Sequence, residues 1–167
     1  QISDEVTDLD KVLAPLDNGH GCAAVICNTV GRAQEAYEYL RAKFGNDVML
    51  AHSRFTAKHR AEKEAALVSL LGKDSHRGDG RPERLIVVGT QVIEQSLDLD
   101  FDVMVTDFAP VDLVLQRLGR LHRHERDDSE RPKEYLSPIC YVRGIETFGS
   151  EAQVPEFPKG SCAVYEP

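Results

Sequence analysis

No apolar run in this chain of 167 residues is long enough to span a bilayer, and the N-terminus lacks the basic, apolar and small-residue pattern of a secretory leader. The sequence therefore predicts no membrane segment. None of the four cysteines (Cys22, Cys27, Cys140 and Cys162) forms a C-x-x-C pair. Cys22 and Cys27 instead bracket an apolar run, which predicts a buried thiol at Cys27 and fits a reducing cytoplasm. Basic charge is short: 20 Lys and Arg against 28 Asp and Glu leave a net charge of -8. That argues against a free-standing binder driven onto nucleic acid by bulk charge, but not against a few phosphate contacts from loops and helix ends. The phosphate-loop pattern G-x-x-x-x-G-K-[ST] is absent, and no Asp-Glu pair follows a strand to hold Mg²⁺ beneath a triphosphate. The chain has no nucleotide cradle of its own.

What it does have is Gln116-Arg117-Leu118-Gly119-Arg120-Leu121-His122-Arg123. Three arginines recur at a spacing of three, which on a helix puts neighbouring side chains on roughly one face. Three guanidiniums held together repel unless something anionic compensates. A polyphosphate would: guanidinium grips phosphate oxygens in a fork and neutralises charge that develops in phosphoryl transfer. The competing reading is a solvated basic turn paired with the acidic run Glu125, Asp127 and Asp128.

Apolar patterning predicts the rest of the fold. Cys22–Cys27, Val48–Ala51, Leu85–Gly89, Phe101–Asp107 and Pro138–Val142 read as strands. Ala33, Ala36, Tyr37, Leu40 and Phe44 mark one helix. Ala61, Ala65, Val68 and Leu71 mark the buried stripe of a second, with Thr56 as its N-cap. Asp112 is expected to cap a short third helix. Residues 1–19 read as a linker or peripheral helix, 20–145 as one domain and 146–167 as an extension. The chain opens on Gln1 and reads as a piece of something longer.

Strands alternating with helices imply an α/β fold around a parallel sheet, with ligands beyond the carboxyl ends of the strands. The polar residues there are Asn28-Thr29, His52-Ser53-Arg54, Thr90-Gln91 and Thr106-Asp107. Helix N-termini, the hydroxyls of Thr29, Ser53 and Thr90, and the charge of Arg54 suit the backbone of a single nucleic-acid strand held without base readout. The arginines after residue 116 are expected to project from this same rim. Glu94, Gln95 and Asp98 lie close enough to hold sugar hydroxyls or a cation, although no calcium-loop spacing is present. Asp100 and Asp102 read either as part of that group or as exposed alternates of the next strand. His122 and His124 form an H-x-H pair without a second ligand cluster nearby.

The run 116–123 resembles motif VI (QRxGRxxR) of the superfamily-two helicases, Thr90–Asp98 their motif V, and Ala24–Thr29 their motif IV. The longer spelling from Thr90 through Asp102, the Leu-Gly-Arg-Leu-His-Arg-His sequence and His52-Ser53-Arg54-Phe55 are similar to the CRISPR-associated helicase–nuclease of type I systems. The resemblance covers about residues 20–145. It implies the second RecA-like domain of that enzyme, a parallel sheet flanked by helices on both faces. It further implies Arg120 and Arg123 as arginine fingers, and Gln116, Arg117 and Asp98 around ATP, with Asp98 meeting the ribose. Thr29, Ser53, Arg54 and Thr90 would hold single-stranded DNA.

ATP and Mg²⁺ would sit mainly on an absent first RecA-like domain. The remaining implied partners are the nuclease domain of the parent chain and the CRISPR surveillance complex, with no membrane. The isolated chain is expected to hydrolyse neither ATP nor DNA. Two alternatives remain at this stage: another superfamily-two RNA or DNA motor, or a non-catalytic protein-docking module. Residues 72–83 and 125–137 receive no role, the latter segment being a candidate to face another domain or the surveillance complex.

Overall fold

In a computed structural model, residues 9–17, 19–93 and 97–144 are described. The C-terminal extension and three residues of the motif V stretch, Glu94, Gln95 and Ser96, lie outside them.

The predicted strands form one parallel sheet: β1 (Gly21–Ile26), β2 (Val48–Ala51), β5 (Arg84–Gly89), β6 (Val103–Asp107) and β7 (Ile139–Arg143). Two-residue strands β3 (His76–Arg77) and β4 (Gly80–Arg81) pair separately. The order is β2-β5-β1-β6-β7, with every pairing parallel. Central β1 is buried along its whole length, which explains its continuous apolar run. Alternate residues feed two cores. Ala23, Val25 and Cys27 pack with Ala33, Ala36, Leu40 and Phe44 of α1 (Val30–Phe44), and Cys22, Ala24 and Ile26 with Leu67 and Leu71 of α2 (Ala57–Leu71). Helices thus cover both faces, as expected. The buried Cys27 thiol is pushed up to about 12 by burial, which makes it inert.

Local signals place the helices with some corrections. Thr29 caps α1 by accepting the Arg32 N–H, and Thr56 caps α2 by accepting the His59 N–H. Of the predicted stripe of α2 only Leu71 is buried, and Leu67 joins it against the sheet, while Ala61, Ala65 and Val68 face solvent. Both sets have helical spacing, and the larger leucines bury more area. The third helix, α3 (Val111–Leu118), has Pro110 rather than Asp112 at its N-cap, and Asp112 lies in its first turn. Residues 9–13 are helical, and Leu9, Leu13 and Leu16 join the α1 core, so this described part of 1–19 is packed, not a linker.

One glycine fixes the sheet edge next to the candidate site. A Cβ on Gly89 would lie 2.3 Å from the Ala51 carbonyl oxygen on the neighbouring strand and 2.7 Å from Ile93 Cδ1. Gly89→Ala should therefore lower stability by about 1–3 kcal/mol, read as a shifted urea midpoint of the chain.

Candidate functional site

The strand order sorts the polar strand tips into two halves. On the β2-β5-β1 half, the Thr90 N–H donates to the Ala51 carbonyl at 3.2 Å and the Cys27 N–H to the Gly89 carbonyl at 2.8 Å. Ser53-Arg54, Thr90 and Asn28-Thr29 therefore follow adjacent strands. The His52–Phe55 turn is braced from within. The two rings stack with centroids 4.2 Å apart, the Lys63 ammonium lies 4.8 Å from the Phe55 ring centroid, and the Arg54 N–H donates to His52 Nδ1 at 3.3 Å. Burial, reinforced by the charges of Arg54 and Lys63, pushes the His52 imidazole down from its ordinary value. Ser53 and Arg54 are left exposed at the tip. Thr90 is fully buried, and among the described residues its hydroxyl has no hydrogen-bond partner. Thr29 is engaged as the α1 cap.

On the β1-β6-β7 half, Asp107 is a buried hub. It accepts from Arg32 Nε at 2.9 Å, Arg32 Nη2 at 3.0 Å, the Asn28 N–H at 2.9 Å and Arg143 Nε at 2.8 Å. Burial alone would raise its carboxyl, but the Arg32 hydrogen bond and the charges of Arg143 and Arg32 prevail, and the net direction is down. Arg117 is entirely buried here. Its Nη1 donates to Thr106 Oγ1 at 2.6 Å and to the Asp107 carbonyl at 2.9 Å, and its Nη2 to Asn28 Oδ1 at 3.4 Å. Arg117 fastens α3 to the tips of β6 and β1.

The other two arginines depart from the expected rim. The helix ends at Leu118 with Gly119 as its C-cap, so the triplet does not share one helical face. Residues 120–122 run beside Phe101, two residues before β6 begins: the Phe101 N–H donates to the Arg120 carbonyl at 2.9 Å and the His122 N–H to the Phe101 carbonyl at 3.0 Å. His122 turns the chain with a φ of 48°, a left-handed conformation uncommon outside glycine and asparagine. Arg123 then pairs through Nε with Asp98 Oδ1, and His124 Nε2 lies 3.5 Å from Asp98 Oδ2. The Arg123 hydrogen bond holds the Asp98 carboxyl below the usual carboxylate range. Burial and the charge of Arg123 push the Arg120 guanidinium down. Gln116 is exposed on α3, beside the exposed apolar residues Val111 and Leu115.

Asp100 and Asp102 are not exposed alternates: both are fully buried. Asp102 accepts the Cys22 N–H at 2.7 Å, Arg131 Nη1 at 2.7 Å and Arg81 Nη2 at 3.3 Å. Asp100 pairs with Arg126 and accepts Arg131 Nη2 at 3.2 Å. The side of this segment opposite the leucines is roofed by the two segments that had no role. Arg81 comes from 72–83; Arg126 and Arg131 come from 125–137, which turns inward here. Arg123 pairs with Asp98, and Arg126 and Arg131 pair with Asp100, where the sequence had offered Glu125, Asp127 and Asp128 as partners of the basic turn. The signal was the alternation Leu97-Asp98-Leu99-Asp100-Phe101-Asp102, which marks one polar side but not what covers it. His122 and His124 face different partners, the Asp102 carbonyl and Asp98. Among the described residues no group of three or more His, Cys, Asp or Glu is gathered as for a metal.

Residues 19–126 match the family model for the C-terminal part of the CRISPR-associated nuclease/helicase Cas3. The CRISPR-associated nuclease/helicase Cas3 of Streptococcus thermophilus is 42% identical over 158 residues, which is 93% of this chain and 15% of that protein. T. fusca Cas3 bound to AMPPNP superposes with a TM-score of 0.83 at 42% identity, over 96% of this chain and 18% of that one. A chain of a pre-nicking CRISPR RNA-guided surveillance complex superposes with a TM-score of 0.78 at 41% identity, over 95% of this chain and 18% of that one. The C-terminal domain of the DEAD-box protein Dbp5 shares the fold, with a TM-score of 0.55 at 15% identity, over 84% of this chain and 69% of that one. The chain thus spans only a small part of its Cas3 relatives, and it belongs to the family of Cas3-like C-terminal domains.

Proposed function

We propose that the chain is the second RecA-like half of an ATP-driven DNA helicase of CRISPR defence, acting within a longer protein that also carries a nuclease. The observation that carries this reading is the separation of two surfaces. Arg120, Arg123 and Asp98 lie beside the entry to β6, whereas Thr29, Ser53, Arg54 and Thr90 line the tips of β1, β2 and β5. A motor needs both: one surface meets a triphosphate held by a first RecA-like domain, and the other grips a strand that moves when the domains close.

The residues present fit the outer side of a triphosphate and leave its cradle, and its Mg²⁺, to the first domain. Arg120 and Arg123 are the arginine fingers. Gln116, with Val111 and Leu115 exposed beside it, lies on the seam between the domains. Arg117 holds the tips of β6 and β1 behind that seam. At the rim, the exposed Ser53 and Arg54 take phosphates of single-stranded DNA and Thr29 supplies the helix N-terminus, while Thr90, buried beneath them, would reach a phosphate only if the strand tip opens on binding. The parent works in the cytoplasm on DNA delivered by the surveillance complex.

Arg54→Ala in the full-length protein should weaken single-strand DNA binding equally for all sequences. It should lower the salt dependence by about 0.7 in log–log slope, one phosphate contact. A sequence-selective loss contradicts the rim assignment. The isolated chain given ATP should show no turnover, because the cradle is elsewhere; strong turnover overturns the half-site reading.

A further inference from the structure

Arg123 is held from behind. Its Nε is bonded to Asp98 Oδ1, and its Nη1 donates to the Gly119 carbonyl at 3.2 Å. Asp98 Oδ2 lies 3.5 Å from His124 Nε2. Two of the three guanidinium nitrogens are therefore fastened inside the domain, and among the described residues Nη2 makes no hydrogen bond. A free arginine has many rotamers, and binding a phosphate would cost it that freedom; a fastened one has already lost it.

From this we infer that Asp98 is a positioning residue: it acts through Arg123, aiming Nη2 at the transferring phosphoryl group. The inference rests on the ATPase half-site reading above and assigns Asp98 a task other than the ribose contact implied by resemblance. The two tasks call for different things. A ribose contact would spend a carboxylate oxygen on the sugar, whereas here one oxygen is engaged by Arg123 and the other lies 3.5 Å from His124 Nε2. Side-chain exposure of 50% for Asp98 and 41% for Arg123 means that water screens their attraction. Orientation is then the main product of the contact, and removing it should leave the domain folded.

The test is steady-state ATP hydrolysis by a full-length Cas3 carrying this domain, with single-strand DNA saturating. Asp98→Asn should lower kcat about tenfold and leave KM within about twofold, the signature of a misaimed group rather than a lost binding contact. The same factor should appear with 2′-deoxyATP. In an Arg123→Ala background, Asp98→Asn should cost nothing further, because its effect passes through that side chain. Asp98→Glu should recover part of the rate. Melting temperature and DNA affinity should match the parent.

Unchanged kcat for Asp98→Asn overturns the inference, as does a defect that multiplies with that of Arg123→Ala. So does a KM defect seen with ATP and absent with 2′-deoxyATP, which returns Asp98 to the ribose. Failure of the underlying reading looks different: Arg123→Ala alone would then leave hydrolysis intact, and the inference falls with it.

Discussion

Arg120→Ala and Arg123→Ala, each made in full-length Cas3, are expected to lower ATP hydrolysis by about 10³-fold or more while nucleotide binding largely survives. Negative charge spreads over the γ-phosphoryl oxygens as the bond breaks, and a guanidinium aimed at them stabilises that state more than the bound ground state. On the proposed reading the cradle that holds the nucleotide lies outside this chain, so binding does not depend chiefly on these groups. The expected signature is thus a loss in kcat without a matching loss of affinity, measured by single-turnover hydrolysis beside binding of a fluorescent ATP analogue. Lysine should not rescue either position. Arg123 uses Nε and Nη1 to hold its place and needs a further nitrogen for the phosphate, which an ammonium on a flexible stem does not provide. Unchanged hydrolysis in both variants would eliminate the motor reading.

Arg117→Ala should behave differently although it belongs to the same short run. Its guanidinium is fully buried among Thr106, the Asp107 carbonyl and Asn28. Its removal leaves an unfilled space and unpaired polar groups, so stability falls along with activity. Three arginines alike in sequence thus separate into one that ties elements together and two that stand beside an open surface.

That separation marks where the sequence stopped being legible. The five strands of the main sheet, the parallel order and the polar tips followed from apolar runs and helix periodicity, because each depends on residues close in the chain. The course after Leu118 did not. The three-residue spacing suggested one continued helix, but Gly119 ends it and His122 turns the chain in a left-handed conformation. The fate of Asp100 and Asp102 was hidden for a related reason. Alternation tells which side a carboxylate takes, and only long-range packing decides whether that side meets water. Arg81, Arg126 and Arg131 come from segments with no apolar periodicity, and their partners lie 19 to 31 residues away in sequence. Among the site residues, Ser53 and Arg54 were readable from the strand that precedes them. The pairing of Arg123 with Asp98 joins two segments and was not.

Asp100→Ala is the second large effect expected, and it falls on stability. The carboxylate is fully buried and holds Arg126, Arg131 and the His124 N–H, while Arg81 Nη1 lies 3.7 Å away. A buried ion network is not stabilising merely by existing, since its charges gave up water to form it. Removing one partner is costly all the same, because the guanidiniums left behind remain buried without compensation. Asp100→Ala should therefore cost about 3–5 kcal/mol at neutral pH, a large share of a typical domain's stability, read from urea unfolding. Asp98→Ala, two residues away and half exposed, should cost no more than about 1 kcal/mol, so the pair of variants separates a carboxylate that holds the fold from one that serves the site. The pH dependence supplies an independent check. Burial pushes the Asp100 carboxyl up, yet the Arg126 hydrogen bond and the charges of Arg131 and Arg81 outweigh it and the folded-state value ends low; Asp107 is lowered as well. The unfolded chain then binds more protons than the folded one below the ordinary carboxylate range. The stabilisation is complete above about pH 4 and drains away as pH falls toward the depressed folded values. The variant should accordingly lose less stability on acidification than the parent chain, and equal slopes for the two would show that Asp100 does not hold the buried guanidiniums.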